Sequence, residues 1–515
     1  MISLHPRRHR AAFFAAGPIL ALAALAAAPG SQVALAAGPT ACVVNTITDQ
    51  ANAGSGTCDS TAGAGKVSLR SAIEAFNTSG NTGSITFSLP ANSVITLTNN
   101  ELHLTNGNVT ITGPGARLLA VDGNKQDRVF HVGNHGTGNG VTAKISGLTI
   151  QNGNTKSKTN YPAYSGGGIY NDNGILTIDS VTITNNAASW GAAIDQEGKV
   201  TVINSTLSNN VISTSDCGGA AMEVEDDFSN TGTTFVNDTI TGNDSGVCGE
   251  GGTLAIFDAS ATFTNVTLSG NKGAGGAFRG GSSTFTNSII ANQTGSADCL
   301  ANPTDGGSNL SSDASCGFSA GTPKFDLVST NPGLAALANN GGPTDTMALA
   351  ATSPPVDAVH NACPPPAADQ RGVQRPRGAA CDIGAFEFSP LAVVSATSSC
   401  GPADGGGQVT INGSGFVGAT AVTFGGKAAV SFTVVSDSQI NAVAPAGTGI
   451  ANIVVTTPAG TSPVTGTSQC AYTPNLPLAG AKVPGSPLAA LTAVLGAMLL
   501  LAAVVGGLVL ARART

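Results

Sequence analysis

The residues of this sequence best suited to chemistry are carboxylates that recur at matching positions of a repeated segment. When its glycine-led stretches are aligned, two columns two residues apart contain Asp172, Asp195, Glu197, Glu223 and Glu225. Because residues i and i+2 share one face of a strand, these five side chains are expected to form one acidic patch over three repeats. Neighbouring carboxylates repel one another unless they are screened, protonated or bridged by a cation. The patch is therefore a candidate cation- or glycan-binding site.

Three interpretations of this acidic patch remain open. Carboxylate oxygens bind Ca²⁺ readily, paired carboxylates perform acid–base chemistry on glycosides, and acidic side chains also line simple solvent-exposed faces. We favour the solvent-exposed face and assign no catalytic residue. The sequence has no Ser-His-Asp order, no phosphate-binding loop and no histidine pair at metal-ligand spacing, because its six histidines are scattered. The cofactor that the pattern suggests is Ca²⁺.

The segment that must position these residues, 144–293, repeats one short pattern six times. Each copy has an apolar residue, a small polar bend residue and a second apolar run. The last apolar positions of the copies are Ile150, Ile183, Leu207, Ile240, Leu268 and Ile290. Self-similarity with a period of roughly 20–50 residues indicates stacked units that share a continuous core.

The bend position of the repeat supports the same architecture. Five successive copies carry Ser180, Asn204, Asn237, Asn265 and Asn287 there. Stacked asparagine side chains can hydrogen-bond along a column at the strand spacing of ~4.8 Å. We therefore predict an all-β chain whose main domain is a right-handed parallel β-helix, with coils from about residue 81 to about residue 320. The alternative is a β-sandwich in which the repeat is accidental.

Composition limits the possible partners. The 515 residues include 68 glycines, 10% charged residues and 4% aromatic residues, which suits short strands and frequent turns. The net charge of −8 argues against nucleic acid as a partner. The length of the chain indicates more than one domain.

The amino terminus has the form of an export signal. Three arginines precede an apolar run over 11–28, and Ala34-Leu35-Ala36 offers a small-residue cleavage site. Residues 1–37 are therefore predicted to be a secretory signal peptide, with an uncleaved membrane anchor as the alternative. Export would bring the chain into a compartment in which disulfides persist.

The ten cysteines suit that compartment. No Cys-x-x-Cys motif occurs, which argues against a zinc site. Because neighbouring cysteines bracket single loops or modules, we predict that they pair in sequence order. The predicted disulfides are Cys42–Cys58, Cys217–Cys248, Cys299–Cys316, Cys363–Cys381 and Cys400–Cys470.

An amphipathic helix is predicted over 66–77, with Ser68 as its cap, and it would cover the first coil of the β-helix. The stretch SLRSAIEAFN, followed by ITFSLP, ITLTNNELHL and RVFHV, resembles the amino-terminal segment of bacterial surface proteins with a CSLREA motif. That family has Cys before Ser-Leu-Arg, where this chain has Val67, which leaves Cys58 to pair with Cys42.

A second resemblance lies at the far end of the predicted β-helix. The segment 331–388, with NPGLAALANNGGPTDTMAL and DQRGVQRPRGAACDIGAFEF, is similar to the choice-of-anchor Q domain of exported bacterial proteins. Together with the repeats, the resemblances cover 42–388 and imply a parallel β-helix on the cell exterior without an established catalytic residue. We interpret the charged residues of this segment as an ion-paired cap that seals the last coil, with a catalytic role as the alternative. They are Asp357, Asp369, Arg371, Arg375, Asp382 and Glu387.

Residues 391–474 change in character. Short alternating strands with turn signals every 8–12 residues indicate a small β-sandwich. The pieces GPADGGGQVTINGSGF, VTFGG and IVVTTPAG resemble the immunoglobulin-like IPT/TIG domain, in which Cys400 and Cys470 would join the first and last strands. Such domains serve as spacers on surface proteins and as accessory modules on enzymes, so this one leaves the function open.

The carboxyl terminus has the form of a membrane anchor. After a Pro/Gly linker at 475–486, the uncharged segment 487–510 is long enough to span a bilayer as a helix. The basic tail, 511–515, is then expected in the cytoplasm and the body of the protein outside. The stretch Leu476-Pro477-Leu478-Ala479-Gly480 resembles a sortase sorting signal, so covalent attachment to the cell wall after Ala479 is the alternative.

These observations predict an exported protein anchored at the cell surface. We expect a non-catalytic adhesin-like, envelope structural or carbohydrate-binding role, with an extracellular glycan or surface ligand as the partner. The alternative is a polysaccharide lyase or glycoside hydrolase, since parallel β-helices often host those activities. Lyases of this shape usually need a basic residue near a Ca²⁺ site. Arg279 is the only basic residue in the aligned columns, and it lies two coils beyond Glu223.

Overall fold

The computed structural model describes residues 38–474 except 55, 135–139, 159, 161, 213–217, 226–231, 248–250, 258, 361–362, 364 and 459. For Glu225 it describes the backbone alone. The predicted signal peptide, linker, membrane-spanning segment, cytoplasmic tail and sorting site, including Ala479 and Gly480, lie outside these residues. So does the predicted disulfide Cys217–Cys248. Within the described part of the chain, no helix is both long and apolar enough to cross a membrane.

The main domain is a solenoid of three parallel sheets, and successive coils add strands to each of them. The first sheet has ten strands, which are Ala41–Val44, Thr82–Phe87, Asn108–Thr112, Thr142–Ser146, Ile175–Asp179, Lys199–Ile203, Thr233–Val236, Ser260–Thr264, Ser282–Thr286 and Thr304–Asp305. The second has seven strands, which are Leu102–Leu104, Phe130–Gly133, Ile169–Asp172, Ile194–Gln196, Gly219–Glu225, Gly252–Phe257 and Phe278–Arg279. The third has nine strands, which are Ser93–Thr96, Leu119–Asp122, Thr149–Gln151, Thr182–Thr184, Thr206–Ser208, Thr239–Thr241, Thr267–Ser269, Ile289–Ala291 and Leu310–Ser311. The predicted parallel β-helix is confirmed.

The repeated apolar positions form the core, as predicted. Each member of the column that begins at Ile150 and ends at Ile290 pairs with the next on a neighbouring strand of the nine-stranded sheet, and all six side chains are fully buried. On the ten-stranded sheet, the rings of Phe235, Phe263 and Phe285 stack in one inner column, with centroids 5.1 and 4.3 Å apart. Stacking like residue on like closes the apolar face that one coil cannot bury alone.

The predicted bend column is also observed. Ser180 and the four aligned asparagines have φ between 52° and 58°, the left-handed conformation that asparagine tolerates better than most residues. Nδ2 of Asn237 donates to Oδ1 of Asn204 at 3.2 Å, and Nδ2 of Asn287 donates to Oδ1 of Asn265. The column therefore turns the chain at each coil and links neighbouring coils.

A second asparagine ladder, which the sequence did not single out, lies inside the solenoid. Asn186, Asn210, Asn243 and Asn271 are fully buried on four successive coils. Each of the first three donates from Nδ2 to Oδ1 of the next, at 3.0, 2.9 and 2.9 Å, and its backbone N–H donates to the same oxygen. The ladder satisfies backbone groups at a buried corner, where an unpaired N–H would be costly.

The first coil is covered by a helix at Leu69–Ser79. Compared with the predicted helix at 66–77, it begins three residues later and ends two residues later. The Oγ of Ser68 accepts the N–H of Ser71, so Ser68 is the cap, as predicted. Arg70 in the first turn pairs with the buried carboxylate of Asp49 at 2.6 Å.

Four predicted disulfides are present, namely Cys42–Cys58, Cys299–Cys316, Cys363–Cys381 and Cys400–Cys470.

The segment 331–388 does not seal the last coil as predicted, but lies along the outer side of the nine-stranded sheet. Gln370 donates to the carbonyl of Ser205 at 3.1 Å and accepts from the hydroxyl of Thr239 at 2.6 Å. Farther back along the solenoid, Asp345 pairs with Arg117 at 2.6 Å. The segment packs along the side of the solenoid because the threonine hydroxyls and the carbonyls at the bends supply hydrogen-bond partners along the length of the nine-stranded sheet. Its charged residues do form ion pairs, Arg371–Asp369 at 2.8 Å and Arg375–Glu387 at 2.7 Å.

The predicted carboxy-terminal sandwich is formed by two mainly antiparallel sheets with a core of their own. One has the strands Ala392–Ala396, Gln408–Ser414, Ser431–Ser436 and Gln439–Val443. The other has the strands Ser399–Pro402, Ala421–Phe424, Lys427–Ala428, Ile450–Thr457, Gly460–Thr461 and Gln469–Thr473. The carboxylate of Asp437 in this sandwich accepts from Ser389 at 2.8 Å and pairs with Arg377 at 3.1 Å, which ties the sandwich to the preceding segment. Two short pairs complete the strands, Ala187–Ala188 with Val211–Ile212 and Leu334–Ala338 with Thr346–Leu349.

Candidate functional site

The seven-stranded sheet carries the predicted acidic columns in the predicted register. Tyr170 pairs with Asp195, Asp195 with Glu223, Glu223 with Ala255, and Ala255 with Arg279. Arg279 therefore lies two strands beyond Glu223, as expected. In the second column Glu225 pairs with Phe257. Asp172 and Glu197 directly follow the paired residues Asn171 and Gln196.

The favoured interpretation, a solvent-exposed face, is wrong for the four of these carboxylates whose side chains the structure describes. The relative exposure of Asp172, Asp195, Glu197 and Glu223 is 1, 4, 1 and 0%. The backbone packs closely against two of them: a Cβ at Gly218 would lie 2.6 Å from Oε2 of Glu223, and a Cβ at Gly191 would lie 2.5 Å from Cα of Asp195. Strand alternation predicts which side of a sheet a residue faces, but not whether a neighbouring connection covers that side.

The same outer column continues to two histidines that sequence analysis missed. His131 pairs with Tyr170 on the next strand, and His103 pairs with His131. Their rings stack with centroids 3.9 Å apart and planes 5° apart. Two histidines that are scattered in the sequence are therefore brought together by the fold. Alignment of ELHL and RVFHV with the glycine-led strand IYND would have placed both histidines in the column that contains Tyr170.

A network of hydrogen bonds and ion pairs surrounds the histidine pair. Glu101 contacts Nδ1 of His131 through Oε1 at 2.8 Å and pairs with Nε of Arg128 through Oε2 at 2.6 Å. Nε2 of His131 lies 3.4 Å from Oδ2 of Asp172, and Nε2 of His103 donates to the carbonyl of Gly133 at 2.8 Å. Both nitrogens of His131 thus face carboxylates, whereas His103 uses one nitrogen on the backbone.

The electrostatics of this network separate the two histidines. Burial favours neutral His131, but the bonds to Asp172 and Glu101 outweigh burial and raise the pKa of His131. Burial and the neighbouring His131 lower the pKa of His103. Burial also opposes ionisation of Glu101, yet the hydrogen bond from His131 and the charge of Arg128 bring its pKa down to about 2. One stacked ring therefore favours the charged form and the other the neutral form.

Three side chains of this network offer metal-ligand atoms close together. Among the described residues, one atom from each of Glu101, His103 and His131 lies within 4.8 Å of the others. Glu101 and His103 are half-buried and His131 is 8% exposed, so solvent reaches the edge of the cluster. The Ca²⁺ site predicted at the acidic columns stays a prediction.

The outer face of the ten-stranded sheet is accessible to solvent along its described coils. In register along it lie Thr110, Lys144, Thr177, Thr201, Thr234, Thr262 and Thr284, and we call this column the threonine face. Its side chains are half-buried or exposed. The hydroxyl of Thr262 donates to that of Thr234 at 3.3 Å, so threonines on neighbouring coils are close enough to bond. Apart from Lys144, the face is a regular row of hydroxyl groups.

Comparisons with known proteins concern the two domains separately. Residues 392–472 match the family model of the IPT/TIG domain, which confirms the prediction for the carboxy-terminal sandwich. No curated protein matches the chain in sequence. Among solved structures, the chain is similar to the crystal structure of pectate lyase Pel9A, with a TM-score of 0.39, 14% sequence identity and coverage of 68% of this chain and 96% of that chain. At this level of similarity nothing about activity is transferred.

Proposed function

We propose that this chain is an exported protein anchored at the cell surface, where its β-helix acts as a rigid, non-catalytic rod that binds an extracellular glycan. The observation that carries the proposal is the threonine face. Among the described residues, the nine-stranded sheet is overlaid by the segment 331–388, and the four carboxylates of the seven-stranded sheet are buried. The ten-stranded face stays open to a ligand.

A repeated row of hydroxyls suits a repeating polymer. Hydroxyl groups both donate and accept hydrogen bonds, so each coil of the threonine face can meet a hydroxyl of a polysaccharide in the same way. The single contacts are weak, but a rigid rod orders several of them at once without further loss of conformational entropy. Lys144 adds one positive charge to the row, although its ammonium group pairs with Asp179 at 2.8 Å.

The buried acidic columns support a non-catalytic role. Asp172, Asp195, Glu197 and Glu223 are buried, so a polymeric substrate has no access to them. A pair of carboxylates that hydrolyses a glycoside has to flank the scissile bond. Buried in this way, the four described carboxylates suit a structural role.

Several features of the chain support the cell surface as its location. The predicted signal peptide and the apolar segment 487–510 suit export followed by anchoring, by a membrane helix or by a sortase. Disulfides persist in compartments outside the cytoplasm. The resemblances to CSLREA-type and choice-of-anchor Q proteins point the same way, and an IPT/TIG domain next to the anchor suits a spacer.

The proposal is tested by measuring glycan binding and glycan cleavage with the same full-length protein. A glycan array should give at least one bound polysaccharide, and incubation with that polysaccharide should release no new reducing ends or unsaturated products. Substitution of Thr234→Lys together with Thr262→Lys places two long charged side chains on the threonine face and should abolish binding. Thr433→Lys, on an exposed strand position of the IPT/TIG domain, is the matched control and should bind as wild type does. Binding that survives the double substitution would refute the threonine face as the binding surface.

A polysaccharide lyase or hydrolase is the second candidate. The observation that favours it is His131, held between Glu101 and Asp172 on the outer side of the seven-stranded sheet, because such a group can take up or release a proton. Product release by wild type and its loss in His131→Asn, with the fold retained, would replace the non-catalytic function by this one.

A further inference from the structure

The cluster of Glu101, His103 and His131 has a property that goes beyond glycan binding. We propose that it binds one divalent transition-metal ion of the zinc class through a carboxylate oxygen of Glu101 and the Nδ1 atoms of His103 and His131. The absence of a Cys-x-x-Cys motif excludes only a thiolate site, and this set of ligands needs no cysteine.

The fold brings the three ligands together through strand register. His103 and His131 occupy paired positions on neighbouring strands, and Glu101 lies two residues before His103, on the same side of the chain. Two imidazoles and one carboxylate are a donor set that zinc and similar divalent ions use, with the remaining coordination positions left to water. No stretch of sequence contains the three residues at a recognisable spacing.

The orientation of both rings is a second, independent observation. A metal-binding histidine usually donates its other ring N–H to a carboxylate or a backbone carbonyl. His103 does so from Nε2 to the carbonyl of Gly133 at 2.8 Å, and Nε2 of His131 faces Oδ2 of Asp172 at 3.4 Å. Nδ1 of His131 faces Oε1 of Glu101 at 2.8 Å, and the bond from Nε2 leaves Nδ1 of His103 as the ring nitrogen for an ion. The other oxygen of Glu101 pairs with Arg128 at 2.6 Å. The partners that fix metal ligands are thus already in place.

The distances and charges are compatible with an ion. Zinc lies about 2.0–2.2 Å from imidazole nitrogen and carboxylate oxygen, which places ligand atoms roughly 3–4 Å apart. In this structure the three ligand atoms lie within 4.8 Å of one another. Small rotations of the nearly parallel rings about their broad χ2 torsions have to bring the lone pairs of the nitrogens closer together. Metal binding displaces the proton of His131, because a ligating imidazole is neutral. Glu101 and Asp172 then supply two negative charges against the one positive charge of Arg128. The half-buried edge of His103 and Glu101 gives the ion a path from solvent.

The test is zinc titration of the full-length protein, prepared without a polyhistidine tag and stripped with chelator. Calorimetry with ZnCl2 should show one equivalent bound, and Co²⁺ should give the visible absorption of a nitrogen- and oxygen-ligated ion. His103→Ala and Glu101→Gln should each weaken zinc binding at least tenfold. Asp172→Asn, which alters only a positioning residue, should weaken it ~10–100-fold. His360→Ala is the control, because His360 is an exposed histidine stacked on Phe325, and it should change nothing.

Other outcomes overturn the proposal. These are no zinc binding by folded wild type, binding of Ca²⁺ but not zinc, or equal zinc affinity in wild type and in the ligand variants. Circular dichroism checks that each variant folds. If His103→Ala does not fold, Glu101→Gln decides the question, since it keeps the size of the side chain and removes only its charge.

Discussion

Arg375 and Glu387 form an ion pair at 2.7 Å in which both side chains are fully buried. The guanidinium also donates to the carbonyls of Asp382 and Gly384, at 3.0 and 2.7 Å, so the pair fixes the path of the chain just before the IPT/TIG domain. Breaking one side of such a pair leaves an uncompensated buried charge.

Substitution of Glu387→Gln is therefore expected to destabilise the protein by ~3–5 kcal/mol. Urea unfolding followed by circular dichroism measures the effect. The control is Asp345→Asn, which removes the partner of Arg117 in a pair whose side chains are 34 and 41% exposed. It should cost no more than ~1 kcal/mol, and an equal cost at both sites would contradict the argument from burial.

The pH dependence of stability is expected to carry a signature of Asp382. Burial, with the charge of Glu387 adding to it, raises the pKa of Asp382 from 3.8 to about 7. As pH rises, the carboxyl of Asp382 loses its proton in the unfolded chain before it does so in the folded protein. The stability that neutral Asp382 contributes is therefore complete below pH 4 and is lost as pH rises through 7. In this window the free energy of unfolding should fall with a slope of up to ~1.4 kcal/mol per pH unit relative to Asp382→Asn. Parallel pH profiles of the two proteins would refute the assignment.

The internal asparagine ladder is expected to be costly to interrupt. Asn210→Ala removes the bonds to Asn186 and Asn243 and leaves buried groups unpaired, which should cost ~1–3 kcal/mol for each unpaired group. The neighbouring Asn209 has a φ of 56° and is exposed, so Asn209→Gly should change stability by less than ~0.5 kcal/mol. Thermal unfolding of both variants compares them directly, and a tolerant Asn210→Ala would show that water replaces the lost bonds.

The predicted Ca²⁺ site at the acidic columns has a separate test. If an ion bridges these carboxylates, millimolar Ca²⁺ should raise the melting temperature of wild type, and Asp195→Asn with Glu223→Gln should abolish the rise. Asp195 and Glu223 are suitable because they are paired and buried. If Ca²⁺ leaves the melting temperature unchanged and the double variant is more stable than wild type, the carboxylates repel one another and bind no Ca²⁺.

Peptide mapping under non-reducing conditions should recover all five predicted disulfides, including Cys217–Cys248. Removal of Cys400–Cys470 by a double substitution to serine should destabilise the IPT/TIG domain by about 4 kcal/mol, because the bond closes a loop with a sequence separation of 70 residues. A link from the β-helix to Cys400 or Cys470 would contradict the division into two domains.

The sequence by itself determined the β-helix, the register of its strands and the residues at most of its turns. Ile150, Ile183 and the residues aligned with them recur because every coil must fill the same position in the core, and Asn237 recurs with its neighbours because each coil bends at the same place. These are local constraints repeated along the chain, so the pattern can be recognised without a structure. The pairing of Asp195 with Glu223 follows from the same repetition.

Only the tertiary structure decided what covers each face of the solenoid. Asp195 and Glu223 were expected in solvent and are buried, with the backbone at Gly191 and Gly218 packed closely against them. The segment 331–388 lies along the nine-stranded sheet rather than over the last coil. His103 and His131 meet because coils of unequal length still return to one register. The length of a connection can be counted in the sequence, but its path depends on contacts between residues far apart in the chain.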